Sequence, residues 1–415
     1  MEERYSPQPA GYLLSRFGLV VVLAGLVLAA WFGQIIIVTI LGLVLSAAGL
    51  SKLWSRYSLA GVGCERGLDE RRIFPGESVE LKLRLVNRKL LPLPWIQLDY
   101  EMPVGLSPAL SLQPGDKPGY GFLSKSTALL WYTGVSWKER LYGEKRGYYT
   151  LGPVTLSSGD IFGFYPRFSS GDETDTVIVY PKIYPIARLR IPPQYPIGDT
   201  AAERRIFEDP IRVNGVRDYS PHDSLRRIHW KASARNQTLK VKVYEPTTTL
   251  KVALFLAIDS FRHEAPEDED MFELGISTAA SVASHLLEQH SSVGLYVNSC
   301  LADTGQPVEI QPGGSTGQTV ELLEALAKVT PVSSGPFDDF LQAERTGLPW
   351  GTTLVFILAG MSPSLNGLLL DLKESGYRLM VLQVGDKGEN GMEPGIARHT
   401  IGQPGDLMTI SGETE

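Results

Sequence analysis

Cysteine is scarce in this chain of 415 residues: only Cys64 and Cys300 are present, and neither lies in a Cys-x-x-Cys pair or a cluster with histidine. A disulfide framework and a structural zinc site are therefore not expected, and a reducing compartment fits. The length favours two or three domains over one. Because 43% of the residues are hydrophobic, the chain can form packed cores.

Motifs of common catalytic chemistry are also missing. There is no His-Glu-x-x-His zinc motif and no phosphate-binding loop, and the Gly-rich run at 313–317 lacks a lysine that would reach a phosphate. His229 lies near Asp223, but we interpret it as a hydrogen-bonded structural residue rather than a general base. We therefore predict a protein that is not an enzyme, with no catalytic or cofactor-binding residue.

No charged residue occurs from 17 to 50. As one helix this stretch would be about 50 Å long, against a hydrocarbon core of about 30 Å. Gly33-Gln34 in its middle predicts a break, so we expect a transmembrane hairpin within residues 1–56, with helices at about 12–32 and 35–54. A cleaved signal peptide is the alternative, but the apolar region is too long and has no clear cleavage site.

Basic residues lie on both sides of this hairpin and are missing from its turn. They are Arg4 and Arg16 before it, and Lys52, Arg56, Arg66, Arg71 and Arg72 after it. The positive-inside rule then places both ends of the hairpin in the cytoplasm. We expect a multi-pass protein of the cell membrane whose soluble domains face the cytoplasm.

Residues 57–185 have the pattern of short strands separated by turns. Val79–Val86 alternates apolar and charged side chains after a Pro75-Gly76 turn, and Val177–Tyr180 is a second clear strand. No helical periodicity competes, so an antiparallel, Ig-like β-sandwich is expected. Asp160, in a Gly-rich turn, is interpreted as a turn residue.

The spacing of apolar residues changes in residues 246–415, where continuous apolar runs alternate with helical patterns. Such runs are typical of strands buried on both faces. The predicted strands are 252–258, 293–297, 354–358 and 379–384. The predicted helices are 272–290, one from about 319, and 365–375. This alternation favours an α/β doubly wound, mostly parallel sheet, whose ligands bind beyond the carboxyl ends of the strands.

Between these domains, residues 186–245 comprise a linker and a basic segment. Eight Arg or Lys against two Asp from 212 to 242 give a local charge of +6, in a chain of net charge −7. Ser220 is a predicted N-cap, with Asp223 in the capping box, for a helix that has Leu225, Ile228 and Ala232 on one face and Asn236 at its end. A strand is predicted from Leu239 to Tyr244.

The run from Asn214 to Glu245, here called the signature segment, resembles the bacterial and archaeal "domain of unknown function 58" family. That family has Gly-x-Arg-x-Tyr-x-x-Gly-Asp before an Ile-His-Trp-Lys-x-[Ser/Thr]-Ala-Arg core. His222 departs from it, since the family has Gly there. The matching residues are Gly215, Arg217, Tyr219, Asp223, Arg226, Ile228, His229, Trp230, Lys231, Ala232, Ala234 and Arg235.

The resemblance implies a von Willebrand factor A-like C-terminal domain. The complete version of that fold binds Mg²⁺ through Asp-x-Ser-x-Ser, a Thr loop and a later Asp, which are hard oxygen ligands. Here Asp259 is present and Thr316 is a candidate for the Thr loop, but Phe261 and His263 replace the serines. We therefore expect no metal, and the alternative reading keeps a degenerate Mg²⁺ site at Asp259 and Thr316.

The resemblance also implies a partner, a MoxR-type AAA+ ATPase. Our main hypothesis is a non-enzymatic, membrane-tethered scaffold or adaptor that works with such an ATPase in the assembly or maturation of envelope or metalloprotein complexes. One alternative is a divalent-metal-dependent, adhesion-type protein-binding module. Another is a nucleic-acid or anion binder, although no nucleic acid is expected. The candidate partner or interdomain residues are Arg217, Tyr219, Asp223, Arg226, Arg227, His229, Trp230, Lys231 and Arg235.

Overall fold

A computed structural model describes residues 16–108, 112–115, 117–187, 189, 208–220, 228–246, 250–261, 266–315, 317–348, 351–385 and 396–409. The chain mixes α and β structure and divides into two compact units. The first unit comprises residues 1–182 with 326–329, and the second unit comprises 183–325 with 330–415.

Two apolar helices open the first unit, α1 (Arg16–Trp31) and α2 (Ile35–Ser58). Gly33, in the left-handed region at φ +66°, separates them, so the predicted break is confirmed. Among the described helices only α2 is long and apolar enough to cross a membrane; its 24 residues span about 36 Å. The described part of α1 is shorter, and a second span is therefore not supported. One helix of this kind suits a membrane anchor or a signal sequence.

The rest of the first unit is built from short strands. Their bounds are β1 (Val62–Leu68), β2 (Arg72–Ile73), β3 (Ser78–Asn87), β4 (Leu93–Pro103), β5 (Leu106–Pro108), β6 (Gln113–Pro114), β7 (Tyr120–Leu129), β8 (Gly134–Gly143), β9 (Gly147–Leu151), β10 (Val154–Ser158), β11 (Arg167–Ser170) and β12 (Asp175–Val179). They form three sheets, in the orders β1-β3-β8-β5, β11-β10-β4-β7-β6 and β2-β12-β9.

These sheets are antiparallel except where β12 pairs with β2. The alternation predicted for Val79–Val86 is present in β3, where every second side chain is buried. Leu81, Leu83 and Leu85 are fully buried in one hydrophobic cluster with Leu98 of β4. The expectation of an antiparallel β region is confirmed. The apolar side chains follow the two-residue period of a strand and not the period of a helix.

The second unit begins with the signature segment and continues as an α/β sheet. Its elements are β13 (Glu208–Asp218), α3 (Trp230–Asn236), β14 (Lys240–Pro246), β15 (Lys251–Leu256), α4 (Pro266–Glu288), β16 (Ser292–Leu301), β17 (Pro307–Gly313), α5 (Gln318–Lys328), β18 (Val329–Ser333), α6 (Phe337–Glu344), β19 (Thr352–Leu358), α7 (Pro363–Glu374), β20 (Arg378–Val384) and β21 (Ala397–Ile401). Short 3-10 turns lie at Ile258–Ser260 and Pro404–Thr409.

The large sheet has the order β17-β16-β15-β19-β20-β21, with β18 paired to β16. Pairing is parallel from β16 through β21, whereas the edge strand β17 is antiparallel. All seven residues of β19 are buried, as expected for a strand covered on both faces. Phe255 stacks on Tyr296 and Phe356, with ring centroids 4.9 and 5.2 Å apart. The expected mostly parallel sheet is present.

Candidate functional site

The signature segment folds as a hairpin of β13 and β14 with α3 inserted before β14. Asp218 pairs with Lys240 and Val216 with Lys242. The prediction of a helix containing Ile228 is wrong, because Ile228 forms a β-bridge with Val241. Pairing to a strand thirteen residues away overrides the local helical period. Of the predicted cap, Ser220 is described and lies outside any helix. Asp223 of the capping box lies outside the described residues, as do Arg226 and Arg227.

Helix α3 begins instead at Trp230, and His229 is its N-cap. The Ala232 N–H donates to His229 Nδ1 at 3.1 Å, and the His229 N–H donates to the Lys240 carbonyl at 2.8 Å. The interpretation of His229 as a hydrogen-bonded residue is therefore correct. The helix ends at Gln237, which is left-handed at φ +55°. The last helical residue is Asn236, as predicted, and the left-handed residue is the C-cap that follows it.

Ser233 fastens α3 to β14. Its hydroxyl donates to the His229 carbonyl at 3.1 Å and accepts the Lys240 N–H at 2.9 Å. The Lys240 ammonium in turn pairs with Asp218 at 2.7 Å. Polar groups on the inner side of α3 are thus satisfied within the segment itself, which holds the short helix in place.

The outer side of α3 presents an aromatic ring beside two cations. Trp230 is 70% exposed. Lys231, Ala234 and Arg235 are exposed as well. Residues 230 and 234, like 231 and 235, are four apart and share one helix face. We call Trp230, Lys231 and Arg235 the α3 face.

Arg217 and Tyr219 lie at the end of β13, apart from the α3 face in sequence but in the same hairpin. The Tyr219 N–H donates to the Leu239 carbonyl at 2.9 Å, and the Arg217 guanidinium donates to the Asp218 carbonyl at 3.2 Å. The Tyr219 bond joins the two sides of the hairpin, whereas the Arg217 bond is to the next residue of the same strand.

Asp259 lies where expected, beyond the carboxyl end of β15. Its Oδ1 accepts from the Asn298 amide and its Oδ2 accepts from the Phe337 N–H at the start of α6, both at 2.9 Å. Both carboxylate oxygens are therefore engaged in fastening loops and in capping a helix. Thr316 lies outside the described residues, and within the described part no cluster of three metal-ligating side chains occurs.

Asn298 is the residue of this edge that the sequence did not reveal. It is fully buried in β16, donates also to the Gly335 carbonyl at 3.1 Å, and accepts the Ile258 N–H at 2.6 Å. Nearby, the Ser260 hydroxyl accepts the Ala359 N–H at 2.9 Å. The signal in the sequence was an amide side chain within the apolar run of β16, since a buried polar side chain needs hydrogen-bond partners.

The run from Gly313 to Gly317 also has Gly-x-Ser-x-Gly spacing. Ser315 lies exposed between the antiparallel edge strand β17 and α5. A nucleophile elbow needs a histidine within hydrogen-bond reach. Across the ranges that the structure describes, no such bond to the Ser315 hydroxyl is present. The prediction that the protein is not an enzyme therefore stays a prediction.

The signature segment and the region after it match a known family model. The family described as "Protein of unknown function DUF58" matches residues 215–345, from β13 to the end of α6. The uncharacterized protein YeaD of Bacillus subtilis (strain 168) is 25% identical over 250 residues, which are 60% of this chain and 58% of YeaD. The chain thus spans just over half of that relative. The resemblance stated from the signature residues is confirmed over this range.

Solved structures resemble the chain only weakly. The ASH/PapD-like domain of human CEP192 is 12% identical with a TM-score of 0.18, over 29% of this chain and 84% of that domain. A non-cellulosomal cohesin of Archaeoglobus fulgidus is 10% identical with a TM-score of 0.20, over 29% of this chain and 91% of the cohesin. Spo0M of Bacillus subtilis is 14% identical with a TM-score of 0.18, over 29% and 49%. Likenesses at this level assign no fold family.

Proposed function

We propose that the protein is a non-enzymatic scaffold or adaptor that is tethered to the cell membrane and docks a protein partner through the α3 face. The observation that carries the proposal is Trp230, an exposed tryptophan flanked by Lys231 and Arg235. Tryptophan and arginine are the residue types enriched among the side chains that dominate binding energy at protein interfaces.

The attachment of α3 to β14 favours a role in docking a partner. The His229 N–H donates to the Lys240 carbonyl and the Ser233 hydroxyl accepts the Lys240 N–H, so the helix is held on β14 before any partner arrives. A surface that is already ordered loses little conformational entropy on binding, so more of the contact energy appears as affinity. The proposed partner surface is acidic, with an apolar pocket for Trp230.

The tether is α2, whose length matches a bilayer. Lys52 and Arg56 lie in its last turns, and the positive-inside rule then assigns the following domains to the cytoplasm. In this proposal α1 completes a hairpin and makes the protein multi-pass. The antiparallel sheets of the first unit serve as an Ig-like β-sandwich, and the mostly parallel sheet of the second unit as a von Willebrand A-like domain without resident metal.

The proposed partner is a MoxR-type AAA+ ATPase, acting in the assembly or maturation of envelope or metalloprotein complexes. This choice rests on the family resemblance of the signature segment. The test is crosslinking capture of the tagged full-length protein from native membranes, followed by mass spectrometry. The variant Trp230→Ala/Lys231→Glu/Arg235→Glu removes the α3 face.

The control is Lys251→Glu/Arg378→Glu, which makes two charge reversals at exposed strand starts of the same unit. We expect the wild type and the control to enrich an AAA+ ATPase and the α3-face variant to lose it while keeping its thermal melting temperature. Undiminished capture by that variant, or its unfolding, would remove the site from the proposal.

The same face also supports a second candidate, a single-stranded nucleic-acid binder. An exposed aromatic ring beside cations is the arrangement on which bases stack. Fluorescence anisotropy with labelled oligonucleotides decides between the two. Binding that weakens steeply with salt and disappears in the α3-face variant would favour nucleic acid over a protein partner.

A further inference from the structure

Three turns of the first unit lie together at one end of its sheets. They join β3 to β4, β7 to β8 and β10 to β11, at residues 88–92, 130–133 and 159–166. The Asn87 N–H donates to the Thr133 carbonyl at 2.9 Å, and the Asn87 side-chain amide donates to the Leu130 carbonyl at 2.9 Å. Ser158, where the third turn begins, pairs with Ile96 near the start of β4.

This end is fixed to the carboxyl end of α2. The Lys89 ammonium donates to the carbonyl oxygens of Ser58 and Ala60, the latter at 2.7 Å. The Arg88 N–H donates to the Gly61 carbonyl at 2.9 Å. On the third turn, the Tyr165 carbonyl accepts the hydroxyl of Ser55. The lysine satisfies carbonyl groups that a helix end otherwise leaves without partners.

The turns expose large apolar side chains to the surroundings. Six of them are between 56% and 74% exposed: Leu90, Leu130, Trp131, Tyr132, Ile161 and Phe162. Tyr132 also has a left-handed backbone at φ +53°, a conformation that is costly for a side chain of this size. Several exposed apolar side chains on adjoining turns mark a binding surface, and a single scattered residue does not.

The position of these apolar side chains along the α2 axis indicates which surroundings they contact. Lys52, Arg56 and Tyr57 are exposed in the last two turns of α2, and residues of these types mark the boundary between lipid and water. Because Tyr165 is hydrogen-bonded to Ser55, the third turn lies at that same level. Tryptophan and tyrosine side chains suit this layer, since each has an apolar body and a polar tip.

We propose that the three turns form a second, shallow contact with the bilayer. The six side chains enter the interfacial layer of the leaflet that α2 leaves, while Lys52 and Arg56 face anionic phospholipid headgroups. This inference rests on the proposed tether by α2. A protein partner is the less favoured occupant, because the surface continues directly from a helix whose own surroundings are lipid.

Depth-dependent fluorescence quenching tests the proposal on the full-length chain. Single cysteines carry an environment-sensitive dye, in a background with Cys64→Ser and Cys300→Ser. The protein is reconstituted in vesicles of phosphatidylcholine and phosphatidylglycerol that contain a nitroxide lipid. The probed positions are Trp131→Cys and Phe162→Cys on the turns, Leu43→Cys within α2, and Val104→Cys as the matched control.

Val104 is an apolar residue, 57% exposed, in the turn after β4 at the opposite end of the same sheets. We expect blue-shifted emission and strong quenching at 43, 131 and 162, and neither at 104. Quenching at 43 with water-like signals at 131 and 162 would overturn the inference and leave the tether standing. Water-like signals at all four positions would remove the tether and this contact together. Melting curves verify that each labelled variant is folded.

Discussion

Asn298 is hydrogen-bonded to Asp259 at the carboxyl edge of the large sheet, and we call this contact, together with the bond from Ile258 to Asn298, the clasp. The Asn298 amide donates to the Asp259 carboxylate at 2.9 Å, and its carbonyl oxygen accepts the Ile258 N–H at 2.6 Å. The clasp joins the end of β15 to β16, and the other Asp259 oxygen holds the start of α6 through Phe337. One amide therefore organises the edge at which ligands of such sheets bind.

Removing that amide leaves buried groups without partners. For Asn298→Leu, which keeps the size of the side chain, we expect a loss of about 2–4 kcal/mol in the free energy of unfolding, because the Ile258 N–H and the Gly335 carbonyl lose their bonds. Urea unfolding measures it. Gln306→Ala, a change at an exposed amide, is the control and should stay within about 0.5 kcal/mol of wild type. An equally small effect for Asn298→Leu would contradict the clasp.

Divalent metal ions should leave the melting temperature unchanged. Both Asp259 oxygens already accept hydrogen bonds, so a cation would have to break the clasp and the contact to α6. The measurement is thermal unfolding in Mg²⁺ or Mn²⁺ against chelator. A rise in melting temperature that grows with metal concentration, as mass action requires, and is lost in Asp259→Asn would revive the adhesion-type alternative.

His229→Ala removes the N-cap of α3. We expect destabilisation by about 1 kcal/mol, because the Ala232 N–H loses its side-chain acceptor and keeps only the His229 carbonyl. His229→Asn supplies another capping side chain and should recover most of the loss. Hydrogen exchange localises the effect: protection at Ala232 and Ser233 should fall in the alanine variant alone. Equal protection in all three proteins would mean that the cap contributes nothing.

Asp160 holds the third turn of the first unit, as its interpretation as a turn residue requires. Its carboxylate accepts the Phe162 N–H at 3.1 Å and the Tyr165 N–H at 2.8 Å. For Asp160→Ala we expect a loss of about 3 kcal/mol, since two bonds to a buried carboxylate disappear. Asp172→Ala, at an exposed carboxylate in the same unit, should be nearly neutral, and matching losses would deny Asp160 its role.

Acid should weaken the second unit through His399. Burial lowers the pKa of this histidine below its ordinary value of 6.5. Between the ordinary and the lowered pKa the unfolded chain binds more protons than the folded one, so stability falls as pH drops through that window. Melting temperatures between about pH 7.5 and about pH 5 give the slope, which should be shallower in His399→Gln. An unchanged slope would assign the effect to other groups.

The strands that could be predicted from the sequence are those buried on both faces and those in which apolar and polar residues alternate strictly. Strands β15, β16, β19 and β20 were all found from apolar runs. The strands β17, β18 and β21 were missed, because exposed positions interrupt their apolar pattern. Residues at the margin of a sheet have solvent on one side, which removes the signal that the interior strands provide.

The site was predictable in location and less so in arrangement. The composition of residues 212–242 identified the basic segment, but the predicted helix included Leu225 and Ile228, which precede the observed start at Trp230. Ile228 has the spacing of a helical residue and yet pairs with Val241, a contact that no local pattern contains. The exposure of Trp230 depends on which face of α3 packs against β14, and the hydrogen bonds of Ser233 fix that face.

Only Leu59, Ala60 and Gly61 separate the end of α2 from the start of β1, and Lys89 clamps that link. A helix advances about 100° per residue, so one alanine inserted before Ser51 would swing the sheets of the first unit around the α2 axis by that angle. Because the link is short and held by hydrogen bonds, the sheets turn together with the helix. The rotational position of these sheets about the α2 axis is therefore set by the number of residues in the helix.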